Sequence, residues 1–261
     1  MYGTITAACI LVTTAALMSA SVQDIRSREV SDIHWMIVGT AGIAAMLIAA
    51  ISEMMTAGRL TVCIGSAMIL FDVLYEREWK KSRNTLFYAA MASMFVIPMI
   101  TSFDDPFVMA SLSVPLCFIV FVAMYFGGII KGGADVKCLV TLAMTFPAYP
   151  ELFGYPMIGV PSSILPLLLP FAAAVLFYAS LFAVLAMMPV IFRNVMRGDT
   201  KMPNMFLGHR APVDNVTGYV WHMGGDEEDG KVWVIPKIPF IVPITAAVLF
   251  TAFIGNVFFL I

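Results

Sequence analysis

Charged residues are scarce in this chain: they make up 12% of its 261 residues, where a soluble domain carries about a quarter, and 61% are hydrophobic. That excludes a soluble globular enzyme, and the chain reads as a polytopic membrane protein. Cysteine is sparse too. Cys9, Cys63, Cys117 and Cys138 form no C-x-x-C pair and mostly lie inside apolar runs, so they read as small buried hydrophobes with no disulfide or zinc framework. His34, His209 and His222 have neither metal-ligand spacing nor a nucleophile partner. No metal and no other cofactor is expected. No basic residue precedes the first apolar run, so Gly3 to Val22 is read as a spanning helix and not as a cleaved signal peptide. Internal repeats and low-complexity tracts are lacking. The 20 methionines read as flexible apolar filler.

What is present is a series of long apolar runs. About 20 apolar residues cross a hydrocarbon core of roughly 30 Å. By that measure the expected spans lie near 3–23, 33–52, 60–75, 85–102, 107–130, 135–149, 162–192 and 238–260. The expected fold class is an all-α membrane helix bundle of about eight transmembrane helices. The sixth run is short, and the stretch from Pro161 to Pro170 reads as a loop or a tilted segment. Residues 1–192 are expected to form a membrane domain, 193–237 a small polar loop domain, and 238–261 the last transmembrane helix. The polar segment carries the acidic run Asp226-Glu227-Glu228-Asp229 and leads into a proline-rich approach to the last span, with Pro236, Pro239 and Pro243 interrupting helical hydrogen bonding.

Lysine and arginine concentrate on the cytoplasmic side of membrane proteins. With the N-terminus outside, the inner loops hold Arg26 and Arg28, then Arg77, Lys80, Lys81 and Arg83, then Lys131 and Lys137, then Arg193, Arg197, Lys201, Arg210, Lys231 and Lys237. Only Arg59 is left outside. Both chain ends are then expected outside a cell membrane that the chain crosses many times. The basic loops are expected to set orientation and touch anionic lipid, with no role in binding nucleic acid.

On this topology two carboxylates at the ends of apolar runs, Asp24 and Asp135, fall at the cytoplasmic face. Ionisable residues at membrane depth are costly, so the default reading is functional. Two carboxylates sharing a site cannot both ionise easily: the charged one takes a proton from water as it attacks a carbonyl, and the protonated one polarises that carbonyl. Gly132, Gly133 and Ala134 keep the turn before Asp135 slim enough for an extended substrate backbone. The blander reading makes Asp24 and Asp135 helix caps. Asp72, in the third run, reads as an interfacial residue reaching water and not as a third catalytic acid.

Gly132-Gly133-Ala134-Asp135-Val136-Lys137 resembles the G-x-G-D motif of membrane aspartyl proteases, and Ser21-Val22-Gln23-Asp24-Ile25-Arg26-Ser27-Arg28-Glu29-Val30 resembles the first catalytic segment of type IV prepilin peptidases. Trp233 to Thr245 is similar to the approach to the last helix in archaeal preflagellin (prearchaellin) peptidases, the group this chain resembles most. Two features depart from the pattern. Ala134 stands where the motif has a second glycine, and the chain has room for an extra helical hairpin, roughly Arg59 to Thr101, over a six-helix core. The resemblance implies a membrane aspartyl endopeptidase with Asp24 and Asp135 as its dyad. Its partners would be precursors of archaellins or type IV pilin-like proteins, whose short basic leader it removes at the cytoplasmic face. Asp226, Glu227, Glu228 and Asp229 are candidate contacts for that leader. Methylation of the product is not expected, because no zinc-binding cysteine quartet is present.

Two rival readings remain. Proteases of the presenilin and signal-peptide-peptidase group cut inside the membrane, but their Tyr-Asp and Pro-Ala-Leu motifs are absent, with Gln23 preceding Asp24. A proton-coupled transporter using paired carboxylates would favour acids nearer the bilayer centre and an inverted repeat.

Overall fold

The computed structural model describes residues 2–75, 77–212, 220–222, 230–236 and 238–261. Helices α1 (Tyr2–Ser27), α2 (Ile33–Glu53), α3 (Ala57–Leu74) and α4 (Lys81–Thr101) come first. They are followed by the broken rod of α5 (Pro106–Ser111) and α6 (Ser113–Phe126), then α7 (Gly133–Thr145), the single turn α8 (Leu165–Leu168) and α9 (Phe171–Arg197). After the short α10 (Asn204–Leu207), strands β1 (His209–Pro212), β2 (Val220–His222) and β3 (Lys231–Pro236) form an antiparallel sheet in the order β1-β3-β2. The chain closes with α11 (Ile241–Phe253) and a 3₁₀ turn, Val257–Leu260.

Seven of these rods are long and apolar enough to cross a membrane, α5 and α6 counting as one. The fold is a polytopic helical membrane bundle with a small sheet in its polar segment. The seventh expected run begins at Phe171, and the stretch before it holds only the one turn of α8.

The remaining expected span, the sixth run, is α7. Its 13 residues rise about 20 Å, short of a hydrocarbon core of roughly 30 Å. Every residue from Cys138 to Thr145 is buried, so this helix is apolar on all sides because protein surrounds it. It packs against α2, α6 and α9, with lesser contact to α3. A helix enclosed by helices need not reach both interfaces.

Between Thr145 and Phe171 the backbone is irregular apart from the turn of α8, and protein groups satisfy several of its polar atoms. The Tyr149 hydroxyl donates to the Leu169 carbonyl (2.7 Å) and accepts from Asn256 Nδ2 (2.9 Å). The Tyr178 hydroxyl donates to the Gly255 carbonyl (3.0 Å) and accepts from the Val257 amide (3.0 Å). The amides of Met157 and Ile158 donate to the carbonyls of Phe253 and Ile254, both at 2.9 Å.

The contact that seats α7 is a backbone approach. A Cβ added at Gly42 of α2 would stand 2.6 Å from Thr145 Cα and 2.8 Å from its amide nitrogen, neither of which is a flexible side-chain end. Thr145 Oγ1 also donates to the Val38 carbonyl (3.0 Å). Replacing Gly42 with valine therefore pushes α2 away from α7 and costs about 1–3 kcal/mol or more. A clear fall in the unfolding temperature of detergent-solubilised protein checks this, and an unchanged transition contradicts the close approach.

At the Glu53 end of α2, Arg59 bridges Glu53 (2.7 Å) and Asp105 (2.7 Å), tying α3 to the start of α5. The acid at Asp72 belongs to the α3–α4 hairpin: it pairs with Arg77 and accepts from the Tyr88 hydroxyl (3.1 Å). The Arg77 guanidinium lies 4.0 Å from the Phe87 ring centroid and 4.8 Å from that of Trp79, so Asp72 serves a local cation and aromatic cluster.

Candidate active site

Asp24 lies on the last turn of α1, ahead of a short connector to α2. Gln23 fixes that connector by accepting the Ser31 amide (2.9 Å), and Arg28 turns it with φ 59°. His34 closes it, with Nδ1 donating to the Ser31 carbonyl (2.9 Å) and Nε2 pairing with the Ser19 hydroxyl (3.1 Å). Asp24 is buried, 8% exposed. Its Oδ2 accepts the backbone N–H of Ile241 at the start of α11 (3.2 Å), and the Arg28 charge is within electrostatic reach. A carboxylate with this burial is held by a helix N-terminus as well as by a nearby cation.

Asp135 is in the first turn of α7. The chain leaves α6 through Gly128, whose φ of +71° needs a residue without Cβ, and Gly132 then starts α7 in extended geometry. Gly132 lies directly under the Asp135 side chain, so that a methyl group there would overlap Oδ2 and stand 2.9 Å from Cγ. Gly133 has open space: the nearest group to a Cβ there is the Tyr125 hydroxyl, 3.8 Å away. Ala134 is half-buried and packs on the helical core.

The two segments meet at one end of the bundle. The charge of Asp24 is within electrostatic reach of Asp135. Lys137, one residue past Val136, spans the gap with Nζ 2.8 and 2.7 Å from the two carboxylate oxygens of Asp32, in the α1–α2 connector. Arg59, Glu53 and Asp105 lie at the other end of α2 and α3. A cavity of about 500 Å³ also lies at that other end, lined by residues such as Ile5, Cys9, Met46, Phe107 and Tyr149, so it is remote from both acids.

Of the residues expected to matter, Asp24, Asp135, Gly132, Gly133 and Ala134 form one neighbourhood. Asp226, Glu227, Glu228 and Asp229 lie outside the described residues. Among the described residues no three of His, Cys, Asp and Glu come together as a metal site would require. Three features of the neighbourhood escaped sequence reasoning: the Ile241 amide, the Asp32–Lys137 pair, and a hydroxyl contact between Ser21 and Thr245 (2.8 Å). Ser21, Lys137 and Thr245 all fall inside the segments that carry the resemblance, which was the available signal.

No protein-family model matches the chain. Two curated relatives align along nearly all of it. The preflagellin peptidase of Methanocaldococcus jannaschii is 23% identical over 265 aligned positions, covering 92% of this chain and 91% of the relative. The preflagellin peptidase of Methanococcus maripaludis (strain C6) is 25% identical over 263, covering 92% of each. With the three sequence segments and the helical membrane bundle, the chain is similar from end to end to archaeal preflagellin peptidases.

Proposed function

We propose that the chain is a membrane aspartyl endopeptidase that removes the short basic leader from archaellin or type IV pilin-like precursors, with Asp24 and Asp135 as its catalytic dyad. The observation that supports this reading is that two acids from distant parts of the chain lie within reach of each other's charge, one buried and the other in the first turn of an enclosed helix. Carboxylates that feel each other's charge hold one proton between them, and the pair titrates as a unit. The ionised member takes a proton from a water molecule as that water attacks the scissile carbonyl. The protonated member donates to the carbonyl oxygen, where negative charge develops. Proton return to the leaving amine completes hydrolysis without a covalent intermediate.

In this reading both chain ends lie outside the cell membrane and the dyad faces the cytoplasm, because that orientation leaves Arg59 as the single basic residue outside. The polar segment 193–237 is then a cytoplasmic domain. The run Asp226 to Asp229 offers charge complementary to a lysine- and arginine-rich leader. The cut falls at the membrane surface, just ahead of the precursor's hydrophobic helix.

The test is cleavage of a tagged precursor by membranes containing the full chain, with the product's new N-terminus read by mass spectrometry. The expected result is a single cut after the basic leader, unaffected by a metal chelator or by serine- and cysteine-directed inhibitors. An uncut precursor, or cleavage abolished by the chelator, contradicts the reading.

A further inference from the structure

The segment Trp233 to Thr245 carries part of the family resemblance, yet no step of the proposed hydrolysis uses it. Its structural position gives it a task. β3 delivers the chain through Pro236 and Pro239 to Ile241, whose amide meets Asp24 Oδ2 at 3.2 Å. One turn further along α11, Thr245 Oγ1 lies 2.8 Å from Ser21 Oγ, and Ser21 stands one turn before Asp24 on α1. Thr245 Oγ1 also donates to the carbonyl of its own helix at Ile241 (2.8 Å) and lies 3.4 Å from that of Leu17. The hydroxyl contact thus sits beside the carboxylate contact on the same pair of helices. It sets the axial register at which the Ile241 amide points at Asp24.

We infer that Thr245 and Ser21 are positioning residues: their hydroxyl contact holds the start of α11 against α1 so that the Ile241 amide orients the Asp24 carboxylate for reaction. This rests on the dyad reading above. The hydroxyls act through Asp24 and touch no substrate. A slip of about 1 Å in the position of a reacting group costs roughly a hundredfold in rate, which bounds what the contact is worth to turnover. The charged groups within electrostatic reach of Asp24, namely Arg28 in the α1–α2 connector and Asp135 on α7, are not partners of either hydroxyl.

The experiment compares Thr245→Val, Thr245→Ser and Ser21→Ala with the wild type in the full chain, measuring kcat, KM and the unfolding temperature in detergent. Thr245→Val keeps the side-chain volume and deletes the hydroxyl. The expected result is a tenfold to hundredfold fall in kcat for Thr245→Val and Ser21→Ala, with KM and the unfolding temperature close to wild type. Thr245→Ser should recover kcat to within about threefold, and the double variant Ser21→Ala/Thr245→Val should be no slower than the slower single, since both remove one contact. A kcat within twofold of wild type in both single variants overturns the inference, as does a loss of kcat that Thr245→Ser fails to rescue. If Thr245→Val does not fold, Ser21→Ala decides alone. An active Asp24→Asn would defeat the dyad reading itself, whereas an inactive Asp24→Asn beside a fully active Thr245→Val would defeat only this inference.

Discussion

Replacing either Asp24 or Asp135 with asparagine is expected to lower leader cleavage by about a thousandfold or more, and replacing both should be no worse than replacing one. Asparagine matches aspartate in shape, so the buried environment of Asp24 and its contact with the Ile241 amide persist. What is lost is a group able to give up a proton. With Asn at either position the pair can no longer hold a carboxylate and a carboxylic acid together, so water activation or carbonyl polarisation fails whichever member is changed. Two groups acting as one unit fail together, which is why the losses do not multiply. Additive losses would mean that the acids work on separate steps. Unfolding temperatures near the wild-type value accompany the result, because isosteric exchange leaves the packing of α1, α7 and α11 alone.

The second large effect belongs to a glycine. A methyl group at Gly132 overlaps the Asp135 carboxylate, 2.9 Å from its Cγ, so Gly132→Ala forces the side chain to rotate away from its position within reach of the Asp24 charge. The expected outcome is a fall in kcat of roughly a hundredfold, the scale attached to displacing a reacting group by about 1 Å. Its neighbour behaves differently. Gly133 has room for a Cβ in the free protein, with the Tyr125 hydroxyl 3.8 Å away, so Gly133→Ala leaves kcat near wild type. If an extended substrate backbone crosses this turn, KM rises in Gly133→Ala. Steady-state kinetics on the pair of variants separates the two roles. Equal kcat in Gly132→Ala and wild type contradicts the close fit under Asp135.

Much of this architecture is readable from composition and spacing because a bilayer imposes simple lengths. Apolar runs such as 33–52 and 85–102 match α2 and α4 closely, since nothing else explains so many consecutive residues without charge. The two carboxylates stand out in the sequence for the same reason, as acids at the margins of such runs, with a glycine-rich turn ahead of Asp135. α7 is the instructive difference. Its run looks like a short span, but its 13 residues are enclosed on all sides, and the prolines at 147, 150, 156 and 161 carry the chain onward as irregular backbone. Hydropathy alone cannot separate protein surroundings from lipid, since both are apolar.

The polar segment was legible only as polar. Strands of three to six residues are too short to announce themselves by alternation, and β3, Lys231–Pro236, reads from sequence as the approach to the last helix. The contacts that complete the site were hidden for a different reason. Ile241 and Asp24, or Lys137 and Asp32, are distant in sequence, and the bond to Asp24 uses a backbone amide that every residue but proline possesses. No residue type marks it; it follows from how α11 starts against α1.

In the proposed enzyme Asp24 and Asp135 adjoin one another at the cytoplasmic face. The most direct measurement places cysteines there in a variant whose Cys9, Cys63, Cys117 and Cys138 have been replaced, using Asp24→Cys with Asp135→Cys. The pair is treated with a short bifunctional thiol reagent in right-side-out and in inverted vesicles, each with and without a membrane-impermeant blocker. The expected result is an intramolecular cross-link between the two positions, prevented by the blocker in inverted vesicles and unaffected by it in right-side-out ones. No cross-link, or positions protected from opposite sides of the membrane, contradicts it.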